Sequence, residues 1–579
     1  MDPVAVHDGR RRVLLALLYV ALVVLMWRPG WYSLTHKLPN IGDPVLYAWT
    51  WHFTAHQLVT HPLRLFDGNI FSDHRLTVAY TDNMLLLLAP FAVLRALGAG
   101  WALQLNLLSL GMLVGSLAAT YALARRLCGR ADAAVLAAIA YTFGSFTFAH
   151  AGHLQLLLLG QFPLAFLLAF RWLERRRPLD AVWFGLVNAS FFVGALYYAA
   201  VWMVCATVVV LGALVAARCR PGARFWSGLA IVAVASATAL PFVVPYARLD
   251  RTRPLVKEWG LQPRDFAIVA PGSFLYPGLD SWSDTSVSRG EHSFFPGFTT
   301  ELLALVGAGA LVGATLRRRR ARHAPEPDAS DDDAEFDDRR HRELWLLVAA
   351  GAAAFVLALG PEVRGVRLPF AWFHDHVPGF QGIRVAARLA IPGVLALCVL
   401  AAVGLTFLVS RLRSPRVATA VVVAVCGILL LELAAPMQHS VLPDDGATLA
   451  VYRALSHRPD GVVAELPIVD PKQESEWAYV EAPRMLYGTL DFHPRVNGYS
   501  GDWPDDYRGR VATLRSFPDA ASLALARRLR VRYVVLHTGR FSGFPQYTER
   551  AARRVIAALP AGATAHRYGN SWLVVLPRA

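Results

Sequence analysis

Long apolar runs separated by short polar segments set the architecture of this chain. A helix crossing the hydrocarbon core needs about 20 apolar residues. Such runs fall near residues 13–29, 101–123, 131–149, 155–172, 180–196, 199–217, 226–246, 298–316, 344–360, 386–410 and 416–435. They predict a mainly α fold, a polytopic bundle of about 11 transmembrane helices. The apolar run at 84–97 is too short to span and reads as an interfacial helix on the outer leaflet. From residue 436 the periodicity changes. Helical patterns at 447–456, 519–529 and 548–559 are interleaved with strand-like runs at 461–466, 531–537 and 571–577. The sequence therefore divides into a transmembrane domain, 1–435, and a small α/β domain, 436–579.

Arginine placement orients the bundle. Clusters at Arg10, Arg11 and Arg12, at Arg125, Arg126 and Arg130, at Arg171 and Arg175–Arg177, at Arg218, Arg220 and Arg224, at Arg317–Arg320 and at Arg411, Arg413 and Arg416 mark alternate span ends. Basic flanks stay in the cytoplasm, which puts the amino terminus inside and the carboxyl terminus, with the α/β domain, outside. Three external segments follow: 30–100, 247–297 and 361–381. The second holds Arg251, Arg253, Asp265, Asp280, Asp284, Glu291 and His292. Residues 317–342 turn from basic to acidic and are poor in apolar side chains, which predicts a disordered cytoplasmic linker.

Composition agrees with a membrane protein. The chain is 55% hydrophobic with a mean hydropathy of +0.39. Its net charge of +15 is spent at membrane flanks, so nucleic acid is not an expected partner. Abundant Arg and Ala with few Lys suggest a bacterial origin, and a multi-pass protein of the inner (cytoplasmic) membrane. The five cysteines, Cys128, Cys205, Cys219, Cys398 and Cys426, lie in spans or at cytoplasmic ends without metal-ligand spacing. The first apolar run lacks a small-x-small cleavage site and reads as a retained span.

Candidate chemistry gathers outside the membrane. Asp43, in Asn40-Ile41-Gly42-Asp43-Pro44, follows the first span and precedes Tyr47, Trp49, Trp51 and Phe53, aromatics that would hold a helix at headgroup depth. Its carboxylate suits a general base toward an acceptor hydroxyl or a ligand for a divalent ion; an N-cap is the bland alternative. Asp73 and Asp82 lie in the same loop as further carboxylates, and Asp82 also suits capping of the helix starting at Met84. His150, His153 and Gln155 sit at the outer end of a short hairpin, polar among apolar neighbours. Arg384 and Arg388, spaced i, i+4 on one expected helix face, suit a phosphate, with snorkelling to lipid as the alternative. The stretch Asn497-Gly498-Tyr499-Ser500-Gly501-Asp502-Trp503-Pro504 reads as a loop that either closes over a site or only packs.

Taken together, the layout resembles the GT-C superfamily of polytopic glycosyltransferases, in particular bacterial members of the YfhO-like group. The residues carrying the resemblance are Gly42-Asp43-Pro44 with Tyr47, His153-Leu154-Gln155, Phe294-Phe295-Pro296-Gly297, Ile383-Arg384-Val385-Ala386-Ala387-Arg388 and Asn497-Gly498-Tyr499-Ser500-Gly501. The resemblance implies a sugar donor linked to a polyprenyl phosphate and transfer to a cell-envelope acceptor on the outer face. It assigns Asp43 as base and Arg384 to the lipid phosphate; the residues themselves add Asp73, Asp82, His153, Gln155, Arg388 and Tyr499 as substrate-binding candidates. Many members pair two acids in the first loop, whereas Asp43 has no adjacent carboxylate, so no cofactor is required by the sequence and a divalent metal is left open. The competing functions are a flippase or transporter of a lipid-linked saccharide and a non-catalytic envelope-assembly protein. The expected spans carry their charges at the ends, which favours surface chemistry over passage.

Overall fold

Among the described residues, nine helices are long and apolar enough to cross a membrane. They are Trp101–Cys128, Ala131–Ala149, Leu154–Arg175, Leu196–Ala216, Ala223–Ala247, Phe298–Arg320, Asp337–Ala358, Ala386–Val409 and Pro415–Leu433. The chain is an integral, multi-pass membrane protein. Its structure is a computed structural model that describes residues 3–27, 33–217, 222–250, 252–279, 289–321, 331–437, 439–538 and 546–578. Cys219, Arg218, Arg220, Arg251, Asp280 and Asp284 lie outside the described residues, as do the side chains of Arg10, Arg11 and Arg12.

Two expected spans are shorter than the sequence pattern suggested. The first apolar run contributes Val13–Met26 to the helix Pro3–Met26. The run at 180–196 becomes the 15-residue helix Pro178–Phe192, about 22 Å long at 1.5 Å per residue. It ends early because the chain turns at residues 193–195 before Leu196 opens the next helix.

By contacts the chain falls into two compact units. One comprises Met1–Trp31, Ser109–Ala151 and Gln155–Met437; the other comprises Tyr32–Leu108, Gly152–Leu154 and Gln438–Ala579. The sequence division at 435/436 gave the first loop to the membrane half, whereas the contacts group it with the C-terminal segment.

In the first unit, helix Ile391–Val409 is the buried centre. It meets Phe298–Ala321 backbone to backbone: a Cβ on Gly307 would lie 1.9 Å from Leu400 O, and one on Gly404 2.1 Å from Leu303 O. Small residues permit such approach, which is how helices gain packing energy where lipid removes the hydrophobic drive. The flanks of the expected disordered linker are helical, since Phe298–Ala321 continues through the arginines and Asp331–Ala358 starts within the acidic run, while its middle, 322–330, lies outside the described residues. Opposite charges explain this. Arg318 pairs with both Asp337 and Asp338, and Arg126 binds Glu343 and Glu174 (2.6 and 2.8 Å).

In the second unit a four-stranded sheet runs in the order Val462–Leu466, Val531–His537, Ser571–Val575, Thr564–Tyr568. The first pair is parallel and the other two are antiparallel. Helix Asp43–Thr60 packs on helix Glu474–Tyr487 of this unit. The aromatics expected at headgroup depth are its core. Tyr47, Trp49 and Trp51 are almost fully buried, with Trp49 Nε1 donating to Asn69 Oδ1 and Trp51 Nε1 to Met84 O, both at 3.0 Å. On a helix, positions 47 and 51 fall on one side and 49 and 53 on the opposite one, and a helix apolar on opposite sides is buried rather than interfacial. The run at 84–97 is helical as a short turn, Leu85–Leu87, followed by Leu88–Ala96.

Candidate active site

Asp43 opens the helix Asp43–Thr60, directly before Pro44 and after Gly42. Its carboxylate therefore stands at the positive end of a helix dipole, where negative charge is stabilised. Gly42 leaves room for a close approach: a Cβ there would lie 3.0 Å from Asn40 Oδ1 and 3.2 Å from Ala478 Cβ. Asn40 organises the turn, accepting from Gly42 N (2.6 Å) and donating through Nδ2 to Tyr479 OH (2.8 Å). Gly152 packs on the same Asn40 side chain, where an added Cβ would come within 3.2 Å. One asparagine thus supports both the Asp43 turn and the hairpin carrying His153.

Around the carboxylate two groups converge. The Tyr499 hydroxyl donates to Asp43 Oδ1 at 2.5 Å, and His153 Nε2 lies 3.6 Å from Asp43 Oδ2. The Asp43 side chain is 23% exposed and that of His153 39%, so the pair is held yet open to a ligand. Tyr499 is fixed from behind. Its ring meets Trp477 edge-on at 4.9 Å, and Gly498 O accepts from Trp477 Nε1 at 2.8 Å. Asn497 anchors the loop by pairing with the backbone of Glu465, accepting from its N–H (2.7 Å) and donating to its C=O (2.9 Å). The stretch 497–501 is thus a packed loop that also delivers a group to Asp43.

Beneath this loop lies a buried ionic network. Glu465 accepts from Tyr452 OH (2.7 Å) and Arg495 Nε (3.0 Å) and lies 2.9 Å from His537 Nε2. Burial opposes its charge, but His537 and Arg495 outweigh it and bring the Glu465 carboxyl down to about 2. Glu481 accepts from Arg484 Nη1 (3.1 Å) and Asn497 Nδ2 (3.2 Å). There burial prevails, helped by the negative Glu465, and Glu481 is pushed up to about 7.

The other carboxylates of the first loop stand elsewhere. Asp73 is bound by Arg510 (2.8 Å) and is not joined to Asp43. Asp82 is buried, and the helix expected to be capped by it starts after Met84 with no side-chain cap; Asn83 Oδ1 instead closes a local turn by accepting from Leu85 N at 3.0 Å. An Asn or Asp side chain reaches the N–H two residues on, which selects position 83 for a turn closing on Leu85. Among the described residues no group of three or more His, Cys, Asp or Glu is arranged to hold a metal ion.

The first unit carries the remaining candidates. Arg384 and Arg388 do not share a helix face, because Val385 is extended and only Ala386–Ala390 is helical, as a 3-10 turn. Arg388 is buried and grips Glu291 through Nε (2.8 Å) and Nη2. His150 Nε2 lies 3.0 Å from the same carboxylate. Burial disfavours the Glu291 charge, yet Arg388 and His150 hold its carboxyl well below the usual range. Tyr197 joins the two arginines: its ring lies 5.2 Å below the Arg388 guanidinium, and its hydroxyl accepts from Arg384 N at 3.0 Å. Arg384 itself is exposed, over the Trp259 ring at 5.0 Å. Gln155 is buried, with Oε1 lacking a hydrogen-bond partner among the described residues. Phe294 and Phe295 are core, and Gly297 turns at φ 95°. Sequence reasoning missed Asn40, Tyr197 and the pairing of Glu291; the signal for Glu291 was its position in an external segment facing arginines of another.

Comparison with protein-family models and with curated proteins finds no match. Solved structures do match. The arabinofuranosyltransferase AftD from Mycobacteria aligns with 98% of this chain and 40% of its own, at TM-score 0.55 and 13% identity. An arginine-to-serine mutant of that enzyme aligns with 98% and 41%, at TM-score 0.57 and 14% identity. The apo oligosaccharyltransferase from Archaeoglobus fulgidus is 12% identical over 91% of this chain and 69% of its own, at TM-score 0.44. Across 98% of its length this chain shares its fold with the mycobacterial enzyme. It spans about two fifths of the length of the mycobacterial enzyme. The YfhO-like group is not singled out by these likenesses.

Proposed function

We propose that this chain is a membrane glycosyltransferase that moves a hexosyl or pentosyl group from a polyprenyl-phosphate donor to a cell-envelope acceptor. The observation that carries the proposal is the carboxylate of Asp43, part-exposed at a helix N-terminus and met by Tyr499 and His153. In the proposed step Asp43 takes the proton of an acceptor hydroxyl while that oxygen bonds to the anomeric carbon. The bond from that carbon to the phosphate oxygen breaks, and polyprenyl phosphate leaves with the electron pair. Base catalysis of this kind contributes roughly 100- to 10,000-fold. Tyr499 and His153 orient the carboxylate, so the reacting geometry is set before the acceptor arrives. In the first unit we assign Arg384 to the donor phosphate, because an exposed guanidinium fits phosphate oxygens.

The proposed side is extracytoplasmic. Supporting it, Arg125 and Arg126 end the helix Trp101–Cys128, and Arg318–Arg320 end Phe298–Ala321, both being ends that stay in the cytoplasm. The test is to incubate purified chain in nanodiscs with sugar-labelled polyprenyl phosphates and an envelope extract. Label moving to the acceptor with release of polyprenyl phosphate is the expected result. Movement of intact lipid-linked sugar across the bilayer without release would support a flippase and overturn the proposal.

A further inference from the structure

A large cavity lies apart from Asp43. It is an open cleft of about 1360 Å³ in the second unit, lined by the far end of helix Asp43–Thr60, the 67–74 loop and the sheet edge. His56, which lines it, stands 13 residues beyond Asp43 on that helix, or roughly 20 Å along its axis.

Charge in this cleft is one-sided once partners are counted. Five arginines line it: Arg458, Arg527, Arg530, Arg532 and Arg578. Among the described residues none of them pairs with a carboxylate; Arg458 donates to Tyr568 OH (3.3 Å) and Arg532 to Leu576 O. Three of the four lining acids are already neutralised by arginines outside the lining. Asp67 is held by Arg75 (3.0 Å), Asp73 by Arg510 (2.8 Å) and Asp491 by Arg495 (2.8 Å). Low-dielectric walls and one sign of charge focus a field that attracts anions.

The floor is aromatic. His56 and Phe492 stack at 3.8 Å with their planes 10° apart, and Phe53 lines the cleft beside them. Three lining residues, Asp73, Phe492 and Arg530, have positive φ values of 72°, 56° and 55°. Non-glycine residues held in the left-handed region cost of order 1 kcal/mol or more and concentrate at ligand sites. Flat rings suit the apolar faces of sugars, and planar guanidinium forks suit carboxylate or phosphate oxygens in two-point contact.

We infer that this cleft binds an acidic saccharide, a glycan carrying carboxylate or phosphate groups. It is a second site, remote from the reacting carboxylate. Its use in capturing the acceptor chain rests on the proposed transferase activity; its binding chemistry does not.

Calorimetric titration of the full chain in neutral-lipid nanodiscs tests this with three polymers of matched length. They are oligogalacturonate for carboxylates, poly(glycerol phosphate) for phosphates, and dextran as the neutral control. No donor is present, so a chain that never transfers sugar still gives the signal. At least one acidic polymer should bind, with affinity falling as salt rises, and dextran should bind at least about tenfold more weakly. Arg527→Glu and Arg578→Glu, both at exposed positions, should each weaken acidic-polymer binding about tenfold or more with an unchanged melting temperature. Equal binding of dextran, wild-type affinity in both variants, no binding of either acidic polymer, or equally tight binding of a single-stranded oligonucleotide overturns the inference.

Discussion

Asn497→Ala tests how the Tyr499 loop is held. The Asn497 side chain replaces a missing strand partner for Glu465, closing a two-bond pair with its N–H (2.7 Å) and C=O (2.9 Å). It also donates to both Glu481 oxygens at 3.2 Å. All of these groups are buried, with Asn497 2% exposed. A neutral hydrogen bond is worth about 1 kcal/mol net and one to a charged group about 1.5–3 kcal/mol. The loss therefore comes to about 4 kcal/mol. For a unit of this size about 4 kcal/mol lowers the melting temperature by roughly 10 °C. Tryptophan fluorescence melting of the detergent-solubilised chain reads this, and transfer assayed well below the transition reads the displacement of Tyr499 from Asp43. Melting within about 2 °C of wild type would refute the claim that Asn497 carries the loop.

Three further predictions follow from the two clusters. Tyr499→Phe removes the hydroxyl bound to Asp43 and should lower kcat about tenfold or more, the value of one bond to a charged group, while leaving melting unchanged; unaltered kcat contradicts a role in orienting Asp43. Glu465, brought down to about 2, contributes stability present above the ordinary glutamate value and lost as pH falls toward 2, whereas Glu481, raised to about 7, makes stability decline as pH rises from about 4.5 to 7. Glu481→Gln should abolish that decline in melting temperature between pH 5 and 7, and an unchanged slope excludes Glu481 as its source. Arg388→Ala should destabilise the chain by about 3–5 kcal/mol because it strands the buried Glu291 charge, and adding Glu291→Gln should recover much of that loss; an additive double variant would show that the pair is not coupled.

The C-terminal elements were legible where burial follows a local period. Residues 531–537 form a short, largely apolar run that reads as a buried strand, and Val531–His537 is the strand found. Helix Glu474–Tyr487 was not legible, because Pro483 and scattered acids break its apolar stripe. Strand Thr564–Tyr568 is a mostly exposed edge with little hydrophobic signal. Asp43 stood out through its local Gly-Asp-Pro context, but its partner Tyr499 lies 456 residues away and no local pattern announces it. Arg384 and Arg388 looked alike at i, i+4 spacing; one is exposed on Trp259 and the other is bound to Glu291, 97 residues distant. One charge-dense segment reads differently at its flanks. Low hydrophobicity at 317–342 suggested disorder, while Arg318 with Asp337 and Asp338 turned opposite charges into paired helix ends.

The central claim is that Asp43 takes the acceptor's proton. Its most direct test is single-turnover sugar transfer from a polyprenyl-phosphate donor by wild type and by Asp43→Asn, which keeps the shape and the Tyr499 contact but cannot accept that proton. The account predicts a fall in transfer rate of at least about 100-fold with unchanged melting temperature and donor binding. Transfer at the wild-type rate in Asp43→Asn would contradict it.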